Sequence, residues 1–183
     1  MEQKAFYFDQ TRCIGCYSCV VACKDWHDVP EGPSNWISIK TIEKGTFPNV
    51  FTGCLISTCY HCADPSCIKV CPTKAIIKRD DGIVEVITDR CVGKKCSLCL
   101  EACPYDAPQF REGENARMEK CDFCIDRWQK GKKPICVAAC KTRALDAGPI
   151  DQLKTKYGKN TNAEGFSYHP IMKPSILFKH KQK

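Results

Sequence analysis

Sixteen cysteines fall into four quartets with metal-ligand spacing. Cys13, Cys16, Cys19 and Cys23 are separated by two, two and three residues. Cys59, Cys62, Cys67 and Cys71 are separated by two, four and three, and Cys91, Cys96, Cys99 and Cys103 by four, two and three. Cys121, Cys124, Cys136 and Cys140 are separated by two, eleven and three. Every quartet ends in Cys-x3-Cys, and of the 17 cysteines only Cys54 stands outside. Thiolates are soft ligands, so the chemistry open to these groups is the binding of zinc or of iron–sulfur clusters.

The spacing favours clusters. Cys-x2-Cys-x2-Cys-x3-Cys is the run in which three thiolates wrap three corners of one cubane and the fourth reaches a neighbouring cluster. Zinc sites pair two Cys-x2-Cys units across a dozen or more residues, whereas the first quartet packs four cysteines into eleven. Sixteen thiolates match the iron sites of four [4Fe–4S] clusters. With every iron capped by a thiolate no metal position stays open for substrate, and no other catalytic constellation is evident. The sequence therefore predicts an electron carrier that is not itself an enzyme.

Composition narrows the setting. Disulfide scaffolds share this cysteine density, but the odd cysteine count and tight grouping oppose that reading. Residues 1–12 hold no apolar signal core and no twin-arginine pair, which predicts a chain without an export signal of its own. No apolar run approaches membrane-spanning length. The expected location is the cytoplasm or a membrane surface reached through partners, with co-export beside a signal-bearing partner as the alternative. The formal charge of +7 invites a nucleic-acid reading. Four thiolate-bound clusters would add about −8, leaving about −1, so the basic residues serve as internal charge balance. No nucleic-acid motif accompanies them.

The elements that must position the quartets are short. Residues 5–9 read as a strand feeding the first quartet, and residues 36–42 alternate apolar and polar. Residues 75–78 and 83–87 flank Asp80-Asp81-Gly82 as a β-hairpin. Residues 73–75 and 142–144, following terminal cysteines, are expected to form one or two helical turns. Residues 151–157 read as a short helix, and the chain from Gly158 as extended and irregular. With little aliphatic core, the clusters must supply much of the stability, and the iron-free chain is expected to fold poorly.

Read with their flanks, the quartets resemble the four-cluster iron–sulfur subunits of complex molybdopterin oxidoreductases, that of dimethyl sulfoxide reductase among them. The likeness rests on Cys13-Ile-Gly-Cys-Tyr-Ser-Cys-Val-Val-Ala-Cys-Lys-Asp and Cys59-Tyr-His-Cys-Ala-Asp-Pro-Ser-Cys-Ile-Lys-Val-Cys-Pro. It continues through Ala102-Cys-Pro-Tyr-Asp-Ala-Pro-Gln, Cys121-Asp-Phe-Cys, Gly131-Lys-Lys-Pro-Ile-Cys-Val-Ala-Ala-Cys and Arg143-Ala-Leu-Asp-Ala-Gly-Pro-Ile-Asp. The resemblance implies an α+β chain of two nested bacterial-ferredoxin-like modules. Residues 1–48 and 111–150 would form the outer module, 49–110 the inner one, and 151–183 a docking tail. It implies one cluster on Cys13, Cys16, Cys19 and Cys140, and its partner on Cys121, Cys124, Cys136 and Cys23. The inner clusters would take Cys59, Cys62, Cys67 and Cys103, and Cys91, Cys96, Cys99 and Cys71. It further implies a wire from a molybdenum or tungsten pterin catalytic subunit through the outer pair, then the inner pair, towards a quinone-handling membrane anchor. The third quartet departs from the family spacing, since Cys91 and Cys96 stand two residues further apart than usual. Its cysteine complement is full, which predicts four [4Fe–4S] clusters and no three-iron centre.

Other residues have plainer readings. Cys54 is expected to be a buried spectator, and His61 a hydrogen-bonding or loop residue beside the ligands. Pro72 and Pro104 set turns after terminal cysteines. Lys24 and Lys141, at the matching positions, either raise a cluster's potential or are solvated charges. Trp26 and Trp128 are packing residues, and residues 173–183 are a docking strap or a loose terminus. The competing functions are a free multi-cluster carrier serving a hydrogenase or formate-oxidising complex, and a zinc-stapled scaffold without redox activity.

Overall fold

The computed structural model describes residues 2–182. Strand β1 (Lys4–Asp9) is buried along its whole length and forms the middle of a three-stranded sheet. On one side it pairs antiparallel with β8 (Leu145–Pro149), placing Phe6 opposite Ala147. On the other it pairs parallel with β9 (Ile176–Lys179), placing Phe6 opposite Ile176. Side chains alternate across a strand, so this sheet divides the interior. Phe6, Phe8, Ala147, Ile176 and Phe178 face the cysteine-bearing core, while Ala5, Tyr7 and Leu177 face helix α6 (Ile150–Tyr157) through Leu153. Tyr157 stacks on Tyr7 at 3.7 Å between ring centroids. Each buried Phe contributes about 1.5–3 kcal/mol.

Three hairpins flank this sheet. Strands β2 (Ile37–Thr46) and β3 (Asn49–Thr58) pair over their full length, their base buried on Ile37, Ile39 and Ile56 and their tip exposed. Strands β4 (Ile76–Lys78) and β5 (Val84–Val86) make the hairpin expected around Asp80-Asp81-Gly82. Strands β6 (Gln109–Phe110) and β7 (Met118–Glu119) add a two-residue ladder. The remaining helices carry cysteines or lie between them: α1 (Ser18–Trp26), α2 (Ser66–Lys69), α3 (Leu98–Glu101), α4 (Ile125–Gln129) and α5 (Ile135–Ala138). The fold is α+β.

Two expectations are corrected. Residues 73–75 and 142–144 are not helical. Helices α2, α3 and α5 instead end two residues before Cys71, Cys103 and Cys140. Each terminal cysteine then opens a turn whose carbonyl accepts the amide three residues on, from Lys74, Asp106 and Arg143 at 3.2, 3.3 and 3.1 Å. Those three residues share a left-handed φ of +52°, +52° and +53°, which helix continuation does not permit. The loose-terminus reading also fails for residues 175–179. Ile176, Leu177 and Phe178 alternate into both faces of the central sheet, and burying them ties the tail down.

Candidate iron–sulfur sites

The cysteines of the second and third quartets line two cavities. Cys59, Cys62, Cys67 and Cys103 surround one, closed by Tyr60, Val84, Met118 and Lys120. Cys71, Cys91, Cys96 and Cys99 surround the other, with Ile76, Val86 and Phe110. Each cavity thus takes three thiols from one quartet and the last thiol of the other. Packing of α2 against α3 makes that exchange, because Cys71 and Cys103 follow those helices.

The first and fourth quartets interleave in the same way, through α1 against α5. Burial pushes the Cys23 thiol up to about 12, and the neighbouring Cys124 and Asp122 charges push in the same direction. Burial holds Cys136 well above the usual thiol range, with Cys124, Cys23 and Cys19 as its charged neighbours. Cys121 is raised likewise by burial, then by Cys23, Asp122, Cys136 and Cys59. In the other group burial lifts Cys19 to about 11, next to Cys140 and Cys16. Exposed Cys16 is lowered, first by the Ser18 hydroxyl and also by Lys141. Charge also reaches from group to group: Cys19 raises Cys136, Cys59 raises Cys121, and Cys99 raises Cys67.

Backbone amides point at many of these sulfurs. Sγ of Cys71 accepts the Ala75 amide at 3.3 Å, and Sγ of Cys140 the Ala144 amide at 3.2 Å. Thr73 and Thr142 bring a hydroxyl to the same two sulfurs, each at 3.8 Å. Sγ of Cys91 accepts amides from Gly93 and Met118, that of Cys121 from Phe123, and that of Cys124 from Ile135, all at 3.4 Å. Such donors stabilise thiolate charge. They make Cys71 unusual: burial would raise it, but the Thr73 hydroxyl and nearby amides outweigh burial and lower it.

Several neighbours were not legible from spacing. Nε2 of His27 lies 3.2 Å from Sγ of Cys124 and 3.6 Å from Asp122, and its ring packs on Trp36 at 4.6 Å. Buried Cys54 carries its thiol to Cys13 and under Gly15, where an added Cβ would sit 3.3 Å from the sulfur. Lys120 is buried, its Nζ donating to the carbonyls of Val84 and, at 3.0 Å, Cys121. Lys24 donates to the Pro30 carbonyl at 3.1 Å, a contact that holds the loop after α1. Trp26 donates to Asp126 at 3.1 Å under the Arg127 guanidinium, and Trp128 lies beneath Lys4, so both pack.

The donor set fits clusters. Two groups of four thiols each line one cavity, and the sulfurs of Cys71, Cys91, Cys121, Cys124 and Cys140 accept backbone amides. One buried donor beside the ligands also lacks an acceptor. Nδ1 of His61 accepts the Val84 amide at 3.0 Å. Burial, with the Lys120 and Lys78 charges, holds this imidazole neutral, which puts its proton on Nε2. That Nε2 has no partner among the described residues, although it stands between Cys59 and Cys62 in the chain. A cluster sulfide held by these cysteines would be the kind of acceptor it lacks.

Comparison with known proteins agrees with this chemistry. Two family models described as 4Fe-4S dicluster domain match residues 50–150 and 12–75. The chain is 43% identical to the B subunit of anaerobic dimethyl sulfoxide reductase from Haemophilus influenzae, over 98% of this chain and 90% of that subunit. The Escherichia coli subunit of the same name is also 43% identical, over 97% of this chain and 88% of its own length. The formate dehydrogenase iron-sulfur subunit of Wolinella succinogenes is 37% identical over 84% and 86%. The chain belongs to the ferredoxin-type 4Fe-4S dicluster family of iron–sulfur subunits of molybdopterin oxidoreductases.

Proposed function

We propose that this chain relays electrons through four [4Fe–4S] clusters between a molybdenum or tungsten pterin catalytic subunit and a quinone-linked membrane subunit or other carrier. The clusters supply one-electron redox chemistry. In this reading Cys13, Cys16, Cys19 and Cys140 hold the first, and Cys121, Cys124, Cys136 and Cys23 the second. Cys59, Cys62, Cys67 and Cys103 hold the third, and Cys71, Cys91, Cys96 and Cys99 the fourth.

The observation that carries the reading is the pair of cavities, each lined by three cysteines of one quartet and the last cysteine of the other. Electron relay needs successive sites close together in a low-dielectric interior. The paired α1–α5 and α2–α3 packings, each with its exchanged terminal cysteine, support two nested modules: residues 1–48 with 111–150 outside, and 49–110 inside. The matching turns and N–H···S bonds at Cys71 and Cys140 support the same pseudo-repeat. Residues 151–183 remain the proposed docking segment, with the outward side of α6 as its exposed face. All sixteen cysteines are used as ligands, so the chain is proposed to carry electrons without transforming a substrate.

Among the described residues no helix is long and apolar enough to cross a membrane. Relatives named as subunits of dimethyl sulfoxide reductase and formate dehydrogenase support a catalytic partner of the pterin class. The test is anoxic purification from the native host, with iron analysis and mass spectrometry of what co-elutes. The reading expects about sixteen irons per chain and a large pterin-binding subunit. Iron-loaded protein eluting alone would favour a free multi-cluster carrier, and zinc in place of iron would overturn both.

A further inference from the structure

Lys120 is a buried cation without a carboxylate partner among the described residues. Only 4% of its surface is exposed, and its Nζ donates to the carbonyls of Val84 and Cys121. The same lysine lines the cavity of Cys59, Cys62, Cys67 and Cys103. Through its position in sequence and its hydrogen bond it also adjoins Cys121, which belongs to the neighbouring outer group. Lys120 therefore sits between the inner cavity it lines and the outer-group Cys121 whose carbonyl it holds.

Burying an ammonium costs several kcal/mol unless opposite charge compensates it. Two carbonyl dipoles offer partial compensation. The acidic side chains of Glu85, Glu119 and Asp122 line a neighbouring pocket with Lys120 without pairing to it, and the thiols of Cys59, Cys62, Cys67 and Cys103 share its other cavity. The Val84 peptide adds a constraint. Its carbonyl accepts from Lys120 while its amide donates to His61 Nδ1, so strand β5 fixes the cation and the neutral imidazole together.

We propose that Lys120 is a positioning residue for electron transfer, its fixed charge raising the reduction potentials of the two clusters at the junction between outer and inner modules. The proposal rests on the four-cluster reading and on its ligand sets. Lys120 exchanges neither proton nor electron. Its charge favours the added negative charge of whichever adjacent site is reduced, which keeps the two junction potentials raised together and lets the electron cross either way. The two distant sites, built on Cys13, Cys16, Cys19, Cys140 and on Cys71, Cys91, Cys96, Cys99, lie beyond its immediate contacts.

The experiment uses the anoxically purified protein in its native complex, with Lys120→Gln, Lys120→Met and Lys120→Arg variants. Iron content and the number of reducible clusters are measured first in the unsubstituted protein, because a count below four there would count against the underlying reading and not against Lys120. Redox titration followed by EPR then reads four potentials. The expected result is a downward shift of two potentials in the Gln and Met variants, two unchanged, and restoration towards native values by Arg. A uniform shift of all four, or no shift in a fully iron-loaded neutral variant, would overturn the proposal. So would loss of clusters in both neutral variants with native potentials in Arg, since the charge would then serve folding alone.

Discussion

Nε2 of His27, at the C-terminal end of α1, lies 3.2 Å from Sγ of Cys124, a residue 97 positions away that opens α4. Asp122 holds the same cysteine through its backbone, its carboxylate accepting the Cys124 amide at 2.8 Å. If Cys124 is a cluster thiolate, it can only accept, so His27 donates. Donors to a ligand sulfur raise a cluster's potential. Replacing His27 with Leu is expected to lower one of the four potentials. A differential of about 1 kcal/mol corresponds to roughly 40 mV for one electron. His27→Gln, which keeps an N–H donor, should recover part of it. EPR redox titration checks this, and an unshifted set of potentials in His27→Leu would show that the contact does no tuning.

The exchange of terminal cysteines has its own test. Cys59→Ser and Cys103→Ser are 44 residues apart yet line one cavity. Both variants should alter the same EPR signal, leaving the other three clusters in place. Cys99→Ser should alter a different one, shared with Cys71→Ser. If Cys103→Ser and Cys99→Ser affect the same cluster, the third quartet holds its own and the nested arrangement is wrong.

Asp146 is the polar anchor of the central sheet against α6. It accepts hydrogen bonds from Lys133, Lys156 at 3.1 Å, Tyr157 at 2.8 Å and the Ala147 amide at 2.8 Å. Burial alone would raise this carboxyl, but these donors outweigh it and hold it at about 2, below the ordinary 3.8. Its stabilising contribution is therefore complete above pH 3.8 and lost as pH falls towards 2. Because the lysines are half exposed, their share is discounted. Asp146→Asn should cost about 1–2 kcal/mol, lowering Tm by roughly 2–8 °C. Calorimetry of the loaded protein should find that difference constant between about pH 5 and pH 8. A difference that changes over that range would point to another group.

Removing the iron leaves buried thiols facing one another. Burial and neighbouring charge hold Cys13, Cys23, Cys67 and Cys124 at about 12, above the ordinary 9. The folded iron-free chain would therefore hold protons that the unfolded chain releases between pH 9 and pH 12, so its stability falls as pH rises. The expected outcome is an iron-free chain without a cooperative thermal transition, progressively less ordered above about pH 9 by circular dichroism. A sharp transition in iron-free protein would show that the aliphatic core suffices.

Gly15 tests the packing of the first ligand loop. Its φ of +66° is in the left-handed region, and a Cβ would stand 3.3 Å from the Cys54 sulfur. Gly15→Ala should lower iron content by disturbing the cluster on Cys13, Cys16 and Cys19. Gly15→Ala combined with Cys54→Ala should restore part of it, since the double variant removes the contact though not the strained φ. Full loading of the single variant would mean that the loop yields freely.

Ligand chemistry was legible in the sequence because a cluster needs several thiolates on one tight loop, and loop spacing is a local property. The hairpin at Asp80-Asp81-Gly82 was readable from its local turn residues, as was the strand leading to Cys13. Pro72 and Pro104 marked the turns after Cys71 and Cys103, but the turn after Cys140 was hidden, because left-handed Arg143 looks like an ordinary helix former in sequence. Long-range placement was invisible altogether. Residues 176–179 read as a trailing end until Ile176 and Phe178 found the face of the sheet that also holds Phe6. His27 meets Cys124, Cys54 meets Cys13, and Lys120 reaches the edge of a cavity whose cysteines begin 61 residues earlier. Spacing selects which atoms bind iron. Burial, hydrogen bonding and nearby charge are set by the packing of distant segments, and those decide the environment in which each bound cluster gains or loses its electron.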